Sequence, residues 1–369
     1  MPGISVSKIC VPFGGGGINW SSYWATLISA TVENAAPTNV VLTFPVGKPE
    51  LLATDITATV NGVARAVSSA SWTGGIWTVV LASAVDYADV VVMTFKLTNT
   101  TTVTNNVLSY ASLLTSAGAG VATLKMTVSA DITVTLGANA KFYSDAAGTL
   151  DESATWSLTA GALRTIYLKC TTGTATMTFS DITKVTTIGD FSNTGYSTAA
   201  NAPSWGVAIN KFVNITILWI TGKSVITGTP PSSLTFLYAH MDVVWSFSGA
   251  IPTGVNYLNL GVGITYSYSG SLPSVNVLTL SGDNINWTGL AIESGSNIVI
   301  LNLTNYRTSK MSSADMVTFL TQLTTRTGTM PATITINDYA DYASPPAEVV
   351  TAVNTLKATK SITTVNLGA

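Results

Sequence analysis

Five times in the second half of the chain an aliphatic residue is followed, three and five positions later, by another aliphatic or small one. The triplets are Ile215/Leu218/Ile220, Leu234/Leu237/Ala239, Val255/Leu258/Leu260, Val275/Leu278/Leu280 and Ile298/Leu301/Leu303. Residues two apart on a strand share a face, so the last two members of each triplet point the same way from one short strand. The copies recur about every twenty residues, a period at which one supersecondary unit cannot bury its own apolar side. Stacking them gives one continuous core, so this half of the chain is predicted to be a quasi-one-dimensional array of coils.

The residues between the buried positions must face out. They form a middle row, Trp219, Tyr238, Asn259, Thr279 and Asn302, and an adjacent row, Ile217, Phe236, Tyr257, Val277 and Ile300. The early coils are aromatic and the later ones polar or aliphatic. Aromatic rings stack on sugar rings and bury much area at little entropic cost, which makes Trp219, Phe236, Tyr238, Tyr257 and Asn259 the candidate receptor-binding residues. The competing explanation is a sheet surface stabilised by stacked like side chains.

Charged residues make up 9% of the 369 positions and the net charge is −2; Thr, Ser, Asn, Gly and Val take the places Lys and Glu usually fill. Phosphate binding relies on Lys and Arg to displace counterions, so nucleic acid is excluded as a partner. Mean hydropathy is +0.41, yet no stretch reaches the roughly 18 to 20 apolar residues of a spanning helix, and membrane insertion is not expected. The hydrophobicity lies in short Val, Ile and Leu runs broken by Thr and Asn, the signature of a soluble β-rich protein. Cys10 and Cys170 are too few and too far apart for a disulfide framework and read as buried free thiols.

Four regions follow. Residues 1–20 form a Gly-rich arm. Residues 21–106 read as a β-sandwich with strands at Thr26–Val32, Val40–Phe44, Ile56–Val60, Val67–Trp72, Ile76–Leu81 and Val90–Phe95. Gly74-Gly75 makes a two-residue hairpin turn there, with Trp72 and Trp77 packed across it. Residues 107–183 read as a second sandwich, with strands at Ala122–Val128, Ile132–Leu136, Lys141–Tyr143, Thr155–Leu158, Arg164–Lys169 and Thr174–Phe179 and turns at Asp145–Gly148 and Thr172-Gly173. Leu163/Ile166/Leu168 also fits the repeat, leaving open an early coil. Residues 184–369 form the solenoid, whose last coils turn helical. Ser312 and Ser313 open a helix burying Met316, Phe319, Leu320 and Leu323; Ser344-Pro345 opens another carrying Val349, Val353 and Leu356 inward.

Enzymatic chemistry finds little footing. His240 is the single histidine, with no nucleophile elbow around any serine, so a Ser-His-Asp arrangement is not expected. Asn337, Asp338 and Asp341 lack the alternation and terminal Glu of a calcium loop, and no Cys or His pair has ligand spacing. Neither metal nor cofactor is expected. Glycoside hydrolysis needs two carboxylates within roughly 5 to 10 Å; Asp242, Asp283 and Glu293 are scattered, although the last two fall in one coil. Gly14–Gly17 lacks the Lys-Ser or Lys-Thr of a phosphate cradle and suits attachment to a neighbouring subunit.

The stretch Trp24–Phe44, the phrase Ser71-Trp72-Thr73-Gly74, and the run Leu81–Tyr87 resemble an immunoglobulin-like module of bacteriophage structural proteins and bacterial surface proteins. The second half, with Leu301-Asn-Leu303 and Val365-Asn-Leu367, resembles the leucine-rich-repeat-like regions joined to such modules. Ala239 at a buried site and the absence of a regular Asn ladder depart from the leucine-rich consensus. The fold expected is mainly β, N-terminal β-sandwich domains followed by a leucine-rich-repeat-like solenoid with helical C-terminal coils. The resemblance implies a non-enzymatic virion protein, a tail fibre, spike or capsid decoration. Its N-terminal region would meet other virion proteins and its solenoid a host cell-surface glycan or protein. A polysaccharide depolymerase and a bacterial adhesin are the alternatives. An extracellular-looking composition with no export signal at the N-terminus favours the virion, and an apolar, charge-poor surface favours a homo-oligomer, a trimer.

Overall fold

The computed structural model describes residues 20–45, 52–96, 99–116, 120–193, 203–239, 243–249, 251–261, 264–268, 272, 275–280, 284–285, 292, 297–303, 310–337 and 339–368. The chain is mainly β and divides into two compact units, Met1–Val107 and Leu108–Ala369.

The first unit opens with a one-turn helix, α1 (Trp20–Trp24), followed by β1 (Ser29–Val32), β2 (Asn39–Thr43), β3 (Ile56–Val60), β4 (Val63–Arg65), β5 (Val67–Thr73), β6 (Ile76–Leu81), β7 (Val91–Phe95) and β8 (Asn99–Asn105). The order β4-β3-β7-β8-β1-β2-β6-β5 forms one nearly closed, barrel-like sheet. All pairs are antiparallel except β1 with β8, which run parallel at Thr31↔Thr104 and Val32↔Asn105. Strict alternation fills the interior: Val40 and Leu42 of β2, Trp77, Val79 and Leu81 of β6, and Val91, Met93 and Phe95 of β7 share one core. Gly74 and Gly75 take the positive φ values, +61° and +92°, that the hairpin turn demands. Trp72 and Trp77 then face each other edge to face, 5.4 Å apart. The sequence reading missed α1, β4 and β8. The composition of β8, Asn-Thr-Thr-Thr-Val-Thr-Asn, buries only Val103 and carries no alternating apolar signal.

The second unit begins with antiparallel strands: β9 (Tyr110–Thr115), β10 (Ala122–Val128), β11 (Ile132–Leu136), β12 (Ala140–Tyr143), β13 (Thr155–Leu158), β14 (Arg164–Cys170) and β15 (Thr174–Phe179). They sort into two sheets, β12-β14-β10 and β13-β11-β15-β9. Neither sheet stops there. β16 (Val185–Asn193) lies antiparallel on β10 and begins a parallel run, and β17 (Ser204–Ala208) does the same on β9. Residues 107–183 thus supply the first strands of two long sheets. β14 pairs antiparallel with β10 and β12, so Leu163/Ile166/Leu168 is not an early coil.

One parallel run is β16-β18 (Ile217–Ile220)-β20 (Phe236–Ala239)-β22 (Tyr257–Leu260)-β24 (Val277–Leu280)-β26 (Ile300–Leu303)-β27 (Thr333–Ile336)-β28 (Thr364–Leu367). The other is β17-β19 (Ser224–Thr227)-β21 (Val243–Gly249)-β23 (Ile264–Tyr268)-β25 (Asn284–Ile285). Every residue of the five triplets is at most 2% exposed, Ala239 included. The coils are further tied by threonine: the hydroxyls of Thr216 and Thr235 donate to the carbonyls of Thr186 and Thr216, one coil back, both at 3.1 Å. These coils return on a second strand, where a leucine-rich repeat typically returns through a helix or 3₁₀ turn.

Near the C-terminus helices interrupt the run. α2 (Ser313–Thr325) starts where expected: Ser312 caps it by accepting from the Asp315 N–H at 3.2 Å, and Met316, Phe319, Leu320 and Leu323 are buried. α3 (Ala347–Lys360) starts later than the sequence suggested, with Pro346 rather than Ser344 at the N-cap, and buries Val349, Ala352 and Leu356 while Val353 is only half-buried. The cause is Pro345-Pro346: a residue before proline is pushed out of the helical region, so the helix cannot begin until both prolines are passed.

Candidate functional site

The predicted outward rows exist as read. Parallel in-register pairing places Ile217, Phe236, Tyr257, Val277 and Ile300 side by side, and likewise Trp219, Tyr238, Asn259, Thr279 and Asn302. Strands lie about 4.8 Å apart, so like residues in register meet face to face. Phe236 and Tyr257 stack with centroids 4.2 Å apart and planes within 13°. Trp219 lies 5.0 Å from Tyr238 and 6.1 Å from Phe236, making a contiguous four-ring platform. Trp219 is 42% exposed, an unusual position for so large a side chain; Phe236, Tyr238, Tyr257 and Asn259 are half-buried beside it.

The row runs further than the sequence indicated. Asn302 registers with Thr335 and Thr335 with Asn366, so amide and hydroxyl alternate over five strands: Asn259, Thr279, Asn302, Thr335, Asn366. The motifs Thr333-Ile-Thr-Ile and Thr364-Val-Asn-Leu carried a signal for this extension, but α2 and α3 intervene and hide the register. The Asn259 Oδ1 is shielded from solvent and has no hydrogen-bond partner among the described residues. No charged residue occurs in β18, β20, β22, β24, β26, β27 or β28.

Toward β16 the platform meets a shelf. Thr187 pairs with Ile217, and a Cβ added at Gly189 would come within 3.0 Å of the Leu163 side chain, which is 56% exposed. Glycine at 189 makes room for the Leu163 side chain over β16, with the Cβ of Lys125 of β10 also close by. The outer face of the second sheet differs: Leu113, Val225 and Val244 are exposed aliphatics in register through Gly206, with no aromatic ring among them.

Of the remaining sequence candidates, Cys10, Gly14–Gly17, His240, Asp242, Asp283, Glu293 and Asp338 lie outside the described residues. Asp341 accepts a 2.5 Å hydrogen bond from Ser313, which also meets the Tyr339 hydroxyl, and so ties a loop to the start of α2. Cys170 is fully buried and free, and burial pushes its thiol pKa up. Among the described residues no three His, Cys, Asp or Glu side chains gather to hold a metal ion, and no helix is long and apolar enough to cross a membrane. Compared with protein-family models, curated proteins and solved structures, the chain matches none.

Proposed function

We propose that this protein is a non-enzymatic attachment protein that holds a cell-surface molecule against the outer face of its long parallel sheet. The observation that carries this reading is the four-ring platform of Trp219, Phe236, Tyr238 and Tyr257, with a 42%-exposed tryptophan on a regular sheet surface. Cross-strand stacking of the rings adds to sheet stability, and an indole left 42% exposed beside three further rings also offers recognition a rigid aromatic anchor. The rings sit on backbone fixed by two parallel neighbours, so little ordering cost is left for binding.

The wider setting rests on sequence resemblance. We read the first unit as an immunoglobulin-like module and the parallel run as a solenoid sharing the strand cadence of leucine-rich repeats. Together these suit a bacteriophage virion protein, a fibre, spike or capsid decoration. Its N-terminal region would attach to other virion proteins or to further copies in a trimer, and the solenoid would meet the host surface.

The test replaces Trp219 and Tyr238 by Ala, singly and together. Aromatic anchors typically lose about 2 kcal/mol on truncation, roughly thirtyfold in affinity. Binding of the full chain to intact cells of candidate host bacteria should fall by that factor while the melting transition persists. Wild-type binding by a folded double variant would remove the binding role from this face.

A further inference from the structure

The aromatic platform occupies only one end of a face that continues as a ladder of amides and hydroxyls. From Trp219 to Asn366 the middle row crosses seven strands, six spacings of about 4.8 Å, or about 29 Å. An occupant that uses the whole row must be long, thin and periodic, and must offer an apolar face to the rings and hydroxyl groups to the ladder. Compact ligands fill the platform and leave the ladder idle. An extended peptide would align with strand backbones at a sheet edge; here the backbone is already paired on both sides of β18 through β27.

Charge narrows the choice. A carboxylated, sulfated or phosphorylated polymer is recognised by Arg and Lys that pair with its anions, and these seven strands contain neither. Burying an anion on such a face without a counter-charge is costly. Asn259 points the same way, because an unpaired buried acceptor costs about 1–3 kcal/mol. An acceptor needs a donor, which a sugar hydroxyl supplies and a carboxylate or sulfate does not.

We infer that the ligand is a neutral, linear glycan lying across the strands along the stack. Its first sugars rest on Trp219, Tyr238, Phe236 and Tyr257, and its later ones are hydrogen-bonded by Asn259, Thr279, Asn302, Thr335 and Asn366. The spacing of the ladder is close to the rise of one pyranose in an extended chain, so each coil serves one sugar. This inference rests on the binding-face reading above and adds the ligand's class, direction and length.

The experiment is calorimetric titration of the full chain with oligomers of glucose, mannose and N-acetylglucosamine, from about two to eight sugars. Oligomers of sialic acid and of alginate serve as acidic counterparts. At least one neutral series should bind, with affinity rising with length to about six or seven sugars and then levelling. The acidic oligomers should bind at least about tenfold more weakly, and added salt should leave neutral binding unchanged. Thr279→Val and Thr335→Val should each weaken long oligomers about threefold to tenfold while leaving the shortest binder unaffected. Length-independent binding, equal binding of acidic oligomers, ladder variants without effect, or no binding by any neutral series would each overturn it. If cell binding is still lost in the Trp219/Tyr238 double variant, the face remains the binding site and only the glycan assignment fails.

Discussion

Replacing Ser112 by Ala probes whether residues 108–183 and the parallel coils fold as one body. Ser112 on β9 is 3% exposed; its hydroxyl accepts from the Trp205 indole N–H at 2.8 Å and donates to the Met177 carbonyl on β15 at 3.1 Å. Trp205 lies on β17, the first strand of the parallel run in that sheet, is fully buried and packs on Phe191 at 5.0 Å. Ser112→Ala leaves the indole N–H buried without an acceptor, a penalty of about 1–3 kcal/mol. Trp205→Phe removes the donor and shrinks the ring, costing about 1–3 kcal/mol through the void it leaves. In the double variant no donor is stranded, so the costs should fall short of their sum by about 1 kcal/mol. Urea unfolding followed by tryptophan fluorescence and far-ultraviolet circular dichroism gives each value, and both probes should report the same shifted transition for the second unit. Additivity within about 0.5 kcal/mol, or a separate transition for residues 108–183, would refute the reasoning.

Asn259→Leu removes a buried acceptor that lacks a partner, so thermal unfolding should show stability unchanged or raised by about 1 kcal/mol, while ligand binding falls. Gly228→Ala should destabilise by about 1–3 kcal/mol in a urea titration, because φ is +79° and a Cβ would collide with the Asn210 side chain. Cys170 should resist alkylation in the native protein and react once it is unfolded, read peptide by peptide in mass spectrometry. In the first unit the Lys96 ammonium, 2.6 Å from Asp55, holds that carboxyl below the usual range. A depressed folded pKa contributes stability above the unfolded value and loses it as pH falls through the folded one. Asp55→Asn should therefore cost at most about 1 kcal/mol near pH 7 and approach nothing in strong acid, as measured by urea unfolding at each pH.

The coils were legible because their signal is local and repeated. Leu218, Leu237, Leu258, Leu278 and Leu301 each sit at one place in a short phrase, and parallel pairing without slippage carries that place from coil to coil. The outward rows followed from the same alternation, so Trp219, Phe236, Tyr238, Tyr257 and Asn259 came together as the spacing required. Features set by partners far along the chain were not legible. The second sheet of each coil depends on strands such as β19, whose Ser224 is a buried polar residue and breaks the apolar alternation. That residues 107–183 begin both long sheets follows from β10 meeting β16 and β9 meeting β17, contacts that no local pattern announces. The Asn/Thr ladder stayed hidden for the same reason, since two helices separate β26, β27 and β28 in sequence while the sheet joins them in space.

The most direct test of the binding face compares its centre with the outer face of the other sheet. Thr279 lies in the middle of the outward row, and Val244 is 57% exposed on the outer face of the second sheet. Replacing each by Arg adds bulk and one charge to one face alone, at positions where substitution leaves the core intact. Binding of the two folded variants to the same cells, measured side by side, should drop at least about tenfold for Thr279→Arg and stay at the wild-type level for Val244→Arg. Undiminished binding by Thr279→Arg, or loss confined to Val244→Arg, would contradict the account.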